Sequence, residues 1–286
     1  MRPTFVIQKI SNHGPSNPIV ARLVVQSKDL IQWLNAPDDV RQKILKLYID
    51  LHYRLLNCYE VQQRLLAAKD ATIESAKAAW NESMESTPYV IGLEGEAENF
   101  LLSAKRYLRE LVFLLNTLFD AQLPTEASIF WNPKGGESKL GEWAKKKFGT
   151  SHDTAQMFAS EAEWVSEIVQ KRNAVEHPGG KSGTLIVKNY QRLAEGFCPP
   201  LWARDGSNST PPTDVYNDIQ TAMDNLLTLT EDILIEAIRN DPSFPQILFV
   251  EIPDEQRDTA VPVRIKAKVD LRNFNAKKIV SESKDS

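Results

Sequence analysis

Between Pro37 and Asn240, apolar side chains recur at the three-and-four spacing of an α-helix in run after run, and this limits the possible folds more than any other feature. Pro37-Asp38-Asp39 opens the first run, with carboxylates favourable in a first helical turn. Ile44, Tyr48, Leu51, Leu55, Tyr59, Leu65, Leu66, Ile73, Ala76 and Trp80 then keep step to about Glu85. One straight helix of that length would be roughly 70 Å long, so the reading predicts a bend or break before Ser86-Thr87-Pro88 ends it. A second run extends from Glu94 to Gln122 on the seam Leu101, Ala104, Leu108, Leu111, Leu115 and Leu118, and stops at Leu123-Pro124. A loop from Ser128 to Gly136 leads to a short helix over Ser138 to Phe148. The next helix starts near Asp153, where Asp-x-x-Gln resembles a capping box, and ends at His177. The last runs from Asp214 to Asn240, burying Val215, Ile219, Met223, Leu226, Leu227, Ile233, Leu234 and Ala237.

The strand signals are weaker and lie mostly outside these runs. Phe5 to Ile10 and Ile19 to Val25 are β-branched stretches split by Asn12-His13-Gly14-Pro15, which predicts two strands and a loop. Thr184 to Lys188 reads as a strand, and Glu195 to Pro212 as irregular chain rich in Pro, Gly, Ser and Asn. Ile247 to Ile252 and Val261 to Val269 read as strands around Pro253-Asp254-Glu255, and Lys277 to Ser286 as a frayed tail. The expected architecture is therefore mainly α, a bundle of four to five helices over residues 38–240. An N-terminal β segment (1–37) and a C-terminal β segment with its tail (241–286) flank it, the terminal strands pairing in one small sheet.

Composition narrows the function classes. The 286 residues are 42% hydrophobic and 25% charged, ordinary for a soluble globular chain. Cys58 and Cys198 form no metal-binding spacing and no disulfide framework, and Cys58 falls in a helical pattern as a small hydrophobe. The first residues lack a signal-length apolar core, and Leu111 to Phe119 is too short to span a bilayer, so a cytoplasmic protein with no membrane partner is expected. There is no Gly-rich phosphate loop, no His-Glu-x-x-His and no Gly-x-Ser-x-Gly, which leaves nucleotide hydrolysis and zinc chemistry without support. Net charge is −4, yet from Lys134 to Arg192 ten Lys and Arg stand against seven Asp and Glu. A modest basic surplus thus surrounds the most polar helix end.

That end is Arg172-Asn173-Ala174-Val175-Glu176-His177. Phe158, Ala162, Val165, Ile168 and Val169 form an apolar stripe, and helical geometry places Arg172 and Glu176 on it, Asn173 at its edge and His177 on its flank. A buried arginine is costly unless paired, so this face should meet a cleft, a partner or a salt bridge. Pro178-Gly179-Gly180 follows and halts the helix.

An Arg followed by Asn, with a His near a helix end in an all-helical setting, resembles the signature of the HEPN superfamily. The likeness covers at most Asp38 to Asn240 and is sequence-specific only in the motif. It implies a helical bundle acting as a metal-independent endoribonuclease, in a toxin or phage-defence role, without cofactor or metal. RNA as substrate, a homodimer with a composite cleft, and an antitoxin or regulatory partner are implied with it. Arg172 would hold phosphate oxygens, His177 would transfer protons, and Asn173 would orient the imidazole or the scissile phosphate. Where some HEPN toxins carry a tyrosine two residues after the His, this chain has Gly179, so regulation through it is not expected. Glu176 has two readings, tuning His177 or quenching Arg172, and the second would mark an inactive version. Arg172 and Glu176 also stand at the spacing of an ordinary intrahelical ion pair, which supports the alternative of a non-catalytic module binding RNA, a nucleotide or a protein.

Other candidates read as structural. His52 is expected to pack or lie on the surface of the first helix. His13 and His152 lack acidic or thiol neighbours at metal-ligand spacing. Lys145-Lys146-Lys147 covers several faces of its helix and reads as solvated rather than as an RNA track, and Phe130 and Trp131 read as plugs for a satellite core, with stacking on a base as the alternative.

Overall fold

The computed structural model describes residues 12–81, 86–132, 136–194, 196–206 and 209–270. Six helical segments dominate them. The first, α1, joins Pro18–Val20, a π-helical turn Ala21–Gln26 and Ser27–Ile31. It is followed by α2 (Asp38–Asn81), α3 (Leu93–Phe119), α4 (Lys139–Phe148), α5 (Asp153–Glu176) and α6 (Val215–Asn240). The strands are short: β1 (Leu185–Lys188), β2 (Gln191–Leu193), β3 (Gly196–Cys198), β4 (Leu201–Arg204), β5 (Thr213–Asp214), β6 (Ile247–Glu251) and β7 (Ile265–Val269). The chain is mainly α, as its periodicity requires.

Two compact units share this chain, one made of residues up to Tyr48 and from Glu231 onward, the other of Ile49–Thr230. The division falls inside α2, between Tyr48 and Ile49, and inside α6, between Thr230 and Glu231. The expected break in α2 is not there: it is continuous for 44 residues.

In the first unit, the segment Ile19 to Val25 is helical, not a strand. Asn17 caps it by accepting the Ile19 amide at 2.9 Å, and Pro18 stands in its first turn, where no amide donor is needed. β-Branched residues tolerate this because Ile19, Leu23, Leu30 and Ile31 are all buried, and packing overrides their strand preference. Arg22 and Gln26, one turn apart, both bond to the buried carboxylate of Glu231, Gln26 at 2.6 Å. The Gln26 carbonyl oxygen in turn accepts the amides of Arg264 and Ile265, each at 2.7 Å, fixing the start of β7. β7 pairs antiparallel with β6 from Ile247↔Val269 to Glu251↔Ile265. The C-terminal strands thus form a hairpin with each other. Phe5 to Ile10 and the tail from Lys277 lie outside the described residues.

In the second unit, α3 is the centre. Phe100, Leu101, Ala104, Tyr107, Leu108, Leu111 and Leu115 have essentially no exposed surface. Burying each large side chain of this seam contributes about 1.5–3 kcal/mol. Tyr107 reaches the hydroxyl of Thr230 at 2.5 Å, so its polar tip is satisfied inside the core. The helix ends where Asp120 adopts a left-handed conformation (φ 47°) and the Asn116 amide brackets Leu123, donating to its carbonyl at 2.9 Å and accepting its N–H at 2.8 Å. Phe119, Trp143, Phe148 and Phe158 then pack edge to face, locking α4 between α3 and α5.

The stretch read as irregular, Glu195 to Pro212, instead contributes strands. β4 joins β1 and β5 in a three-stranded antiparallel sheet, and β2 pairs with β3. Phe197 stacks on Trp80 with centroids 5.3 Å apart, so a tertiary aromatic contact supports a hairpin of weak local propensity.

Candidate functional site

The second unit presents α5 with two chemically different faces at neighbouring residues. The cap of α5 is His152, whose ring nitrogen accepts the Thr154 amide at 3.2 Å; the expected capping box on Asp153 is not used. Val165, Ile168 and Val169 are buried, and the stripe they define carries Arg172 inward, where it is 8% exposed. Glu176, one turn later and last in the helix, contacts the Arg172 guanidinium. From α3, the Lys105 ammonium donates to the other Glu176 oxygen at 3.3 Å.

His177 leaves the helical conformation (φ −133°, ψ 66°) while its amide still donates to the Asn173 carbonyl at 2.9 Å. Its imidazole is 76% exposed, with Nε2 at 3.9 Å from Glu176 Oε2. Asn173 is half-buried. The chain then turns back tightly: the Gly180 amide donates to the His177 carbonyl at 2.9 Å, and the Gly179 amide reaches Gly183 O at 3.2 Å and Thr184 Oγ1 at 3.0 Å. Gly183 must be glycine here. Its φ is +77°, and a Cβ would lie 1.7 Å from the Asp205 carbonyl oxygen.

Arg172, Glu176 and His177 therefore gather at one helix terminus as their spacing predicts, with Glu176 standing between the two cationic groups and the imidazole. Burial, and then the nearby charge of Arg106, push the Arg172 guanidinium down from its usual range. Burial and the charge of Arg172 together bring Lys105 down to about 8, against an opposing pull from Glu126. Lys105 and Arg106 escaped the sequence reading because they sit on α3, some seventy positions earlier, and carry no motif spacing toward Arg172. Being cationic does not single them out, because Arg109 is a third cation on the same helix.

Lys171, the residue before Arg172, faces elsewhere. Its ammonium lies 3.0 Å from Asp218 and 4.6 Å from the Trp202 ring centre. Asp218 also accepts from Trp202 Nε1 at 2.6 Å and from the Thr213 hydroxyl at 2.5 Å. Burial raises the Asp218 carboxyl, but these hydrogen bonds and the Lys171 charge outweigh it and hold it below the ordinary range. The group borders a cleft of about 1000 Å³ whose lining includes Trp131, Trp164, Lys171, Arg204 and Asp218. Its cations are already paired: Arg204 with Glu167 at 2.9 Å, Lys145 with Glu137 at 2.7 Å. With Glu137, Glu163, Glu167 and Asp218 against Lys145, Lys171 and Arg204, the lining carries no surplus of positive charge for an anion.

The remaining candidates settle into structural places. His52 is buried, with Nδ1 at 2.5 Å from the Ile49 carbonyl oxygen, and burial lowers its pKa. Lys147 is exposed, as expected of the lysine run, and its ammonium also reaches the Phe119 carbonyl at the end of α3. Phe130 is buried while Trp131 is half-buried at the cleft. Burial pushes the Cys58 thiol up to about 12, which leaves it inert. Among the described residues, no group of three or more His, Cys, Asp or Glu is placed to hold a metal ion. Also among them, no helix is long and apolar enough to cross a membrane. No protein-family model, curated protein or solved structure matches this chain.

Proposed function

We propose that the end of α5 is the active site of a HEPN-like, metal-independent endoribonuclease, in a toxin or phage-defence role. One observation carries this reading: an exposed imidazole, a carboxylate and two partly desolvated cations from two helices are contiguous at one helix terminus. RNA brings its own nucleophile, the 2′-hydroxyl, so the protein's tasks are proton transfer and charge stabilisation. His177 is open to substrate, and an imidazole is the side chain most often used for general acid–base work. Glu176, 3.9 Å away, is placed to steady the imidazolium form. Arg172 and Lys105 supply the positive charge that a developing pentacoordinate phosphate requires. A homodimer bringing a second His177 and Arg172 to the same groove would complete the cleft, and an antitoxin would cover it.

A second reading rests on a specific contact. Within one chain the Arg172 guanidinium is engaged by Glu176, which suits a non-catalytic module that recognises RNA or another anionic partner. Incubating mixed RNA with wild type and His177→Ala in the presence of a chelator separates the two. The nuclease reading expects cleavage by wild type that falls at least a hundredfold in the variant. Cleavage equal in both, or absent from both, favours the binding module.

A further inference from the structure

Arg172, Lys105 and Arg106 gather near the end of α5, where the carboxylates that act on them are Glu176 and, on Lys105, Glu126. Arg172 Nε and Nη1 are buried and meet no hydrogen-bond partner among the described residues. Lys105 approaches the same carboxylate from α3, and the charge of Arg106 reaches Arg172 as well. A single carboxylate, Glu176, bridges Arg172 and Lys105. It does so from the last residue of a 24-residue helix. Its side chain is 31% exposed, so rotation about its own bonds carries it into water without moving the backbone. Arg172, with 10% of its side chain exposed, is held by packing, and the more exposed Glu176 is the replaceable member.

We propose that Arg172 and Lys105, assisted by Arg106, form a seat for a phosphate group of RNA, and that Glu176 fills this seat until a phosphate displaces it. The seat rests on the arrangement of charges; its assignment to RNA rests on the functional reading above. A phosphodiester, like the Glu176 carboxylate, carries one negative charge over two oxygens, so it can take the carboxylate's place between the guanidinium and the ammonium. Glu176 is then a built-in competitor that weakens binding and keeps the resting site neutralised.

The test uses a short, mixed-sequence 2′-O-methyl oligoribonucleotide carrying a fluorophore, whose blocked nucleophile makes anisotropy report binding alone. Glu176→Gln, which keeps the shape and removes the charge, should bind it about tenfold more tightly than wild type. Glu176→Ser should give the same gain. Adding Lys105→Gln to Glu176→Gln should abolish the gain. Equal binding by wild type and both Glu176 variants overturns the proposal, as does a gain that survives undiminished without Lys105. Titration with inorganic phosphate alone separates the two sources of the anion: an RNA seat binds the oligonucleotide more tightly, and the reverse order overturns the assignment to RNA. A binding gain without cleavage of ordinary RNA leaves the seat standing and removes only the nuclease. Cleavage by wild type with no binding gain in the variants removes only the seat.

Discussion

Replacing Glu231 by Gln tests how the first unit is held together. Glu231 is 2% exposed, and its carboxylate accepts from Arg22, from Gln26 Nε2 at 2.6 Å and from Arg264 Nε at 3.0 Å. These donors come from α1 and β7, so a single anion on α6 ties the helical and β parts of the unit. Arg22 and Arg264 are themselves buried, at 7% and 9% exposure. Glutamine preserves volume but removes the charge and turns an N–H donor toward donors. Each hydrogen bond to a charged group is worth about 1.5–3 kcal/mol, and such values do not add fully. Removing one member of a buried ion pair costs about 3–5 kcal/mol, which sets the expected loss. With a urea dependence of about 2–3 kcal/mol per molar, the unfolding midpoint followed by circular dichroism should fall by roughly 1–2 M. A loss below about 1 kcal/mol would show that the carboxylate is not the hub and refute the reasoning.

Two further perturbations address the second unit. Gly183→Ala places a Cβ against the Asp205 carbonyl oxygen at positive φ, so the turn after the motif must open; a drop in melting temperature of several degrees is expected, and an unchanged melt would contradict the turn. Asp218 holds its carboxyl below the ordinary range, so its stabilisation is complete above the unfolded value of about 3.9 and is lost as pH falls through the lower folded value. Asp218→Asn should therefore be less stable at neutral pH and show a flatter acid limb in its stability–pH curve; an acid limb identical to wild type would be the wrong outcome.

The helices were legible because burying a seam of Leu, Ile and Val leaves a period that no other element shares. Helix ends were legible where the chemistry is local: Pro37, Ser138, Pro124 and Pro178-Gly179. Ile19 to Val25 misled because its strand preference is a local signal, whereas its helix depends on Glu231, two hundred residues away, receiving Arg22 and Gln26. The strands of Glu195 to Pro212 were hidden for the same reason, since Phe197 on Trp80 and the pairing of β4 with β1 are tertiary. At the site, the positions of Arg172, Glu176 and His177 followed from helical spacing alone. Lys105 and Arg106, which lie near them, come from another helix and carry no spacing toward the motif.

If His177 moves protons for a 2′-hydroxyl attack, the chemistry of the cut ends reads this directly. Wild type acting on ordinary RNA with chelator present should leave 2′,3′-cyclic phosphate and 5′-hydroxyl ends, with His177→Ala producing essentially none. Ends bearing 3′-hydroxyl and 5′-phosphate, or the same cyclic products from the variant at wild-type rate, would contradict it.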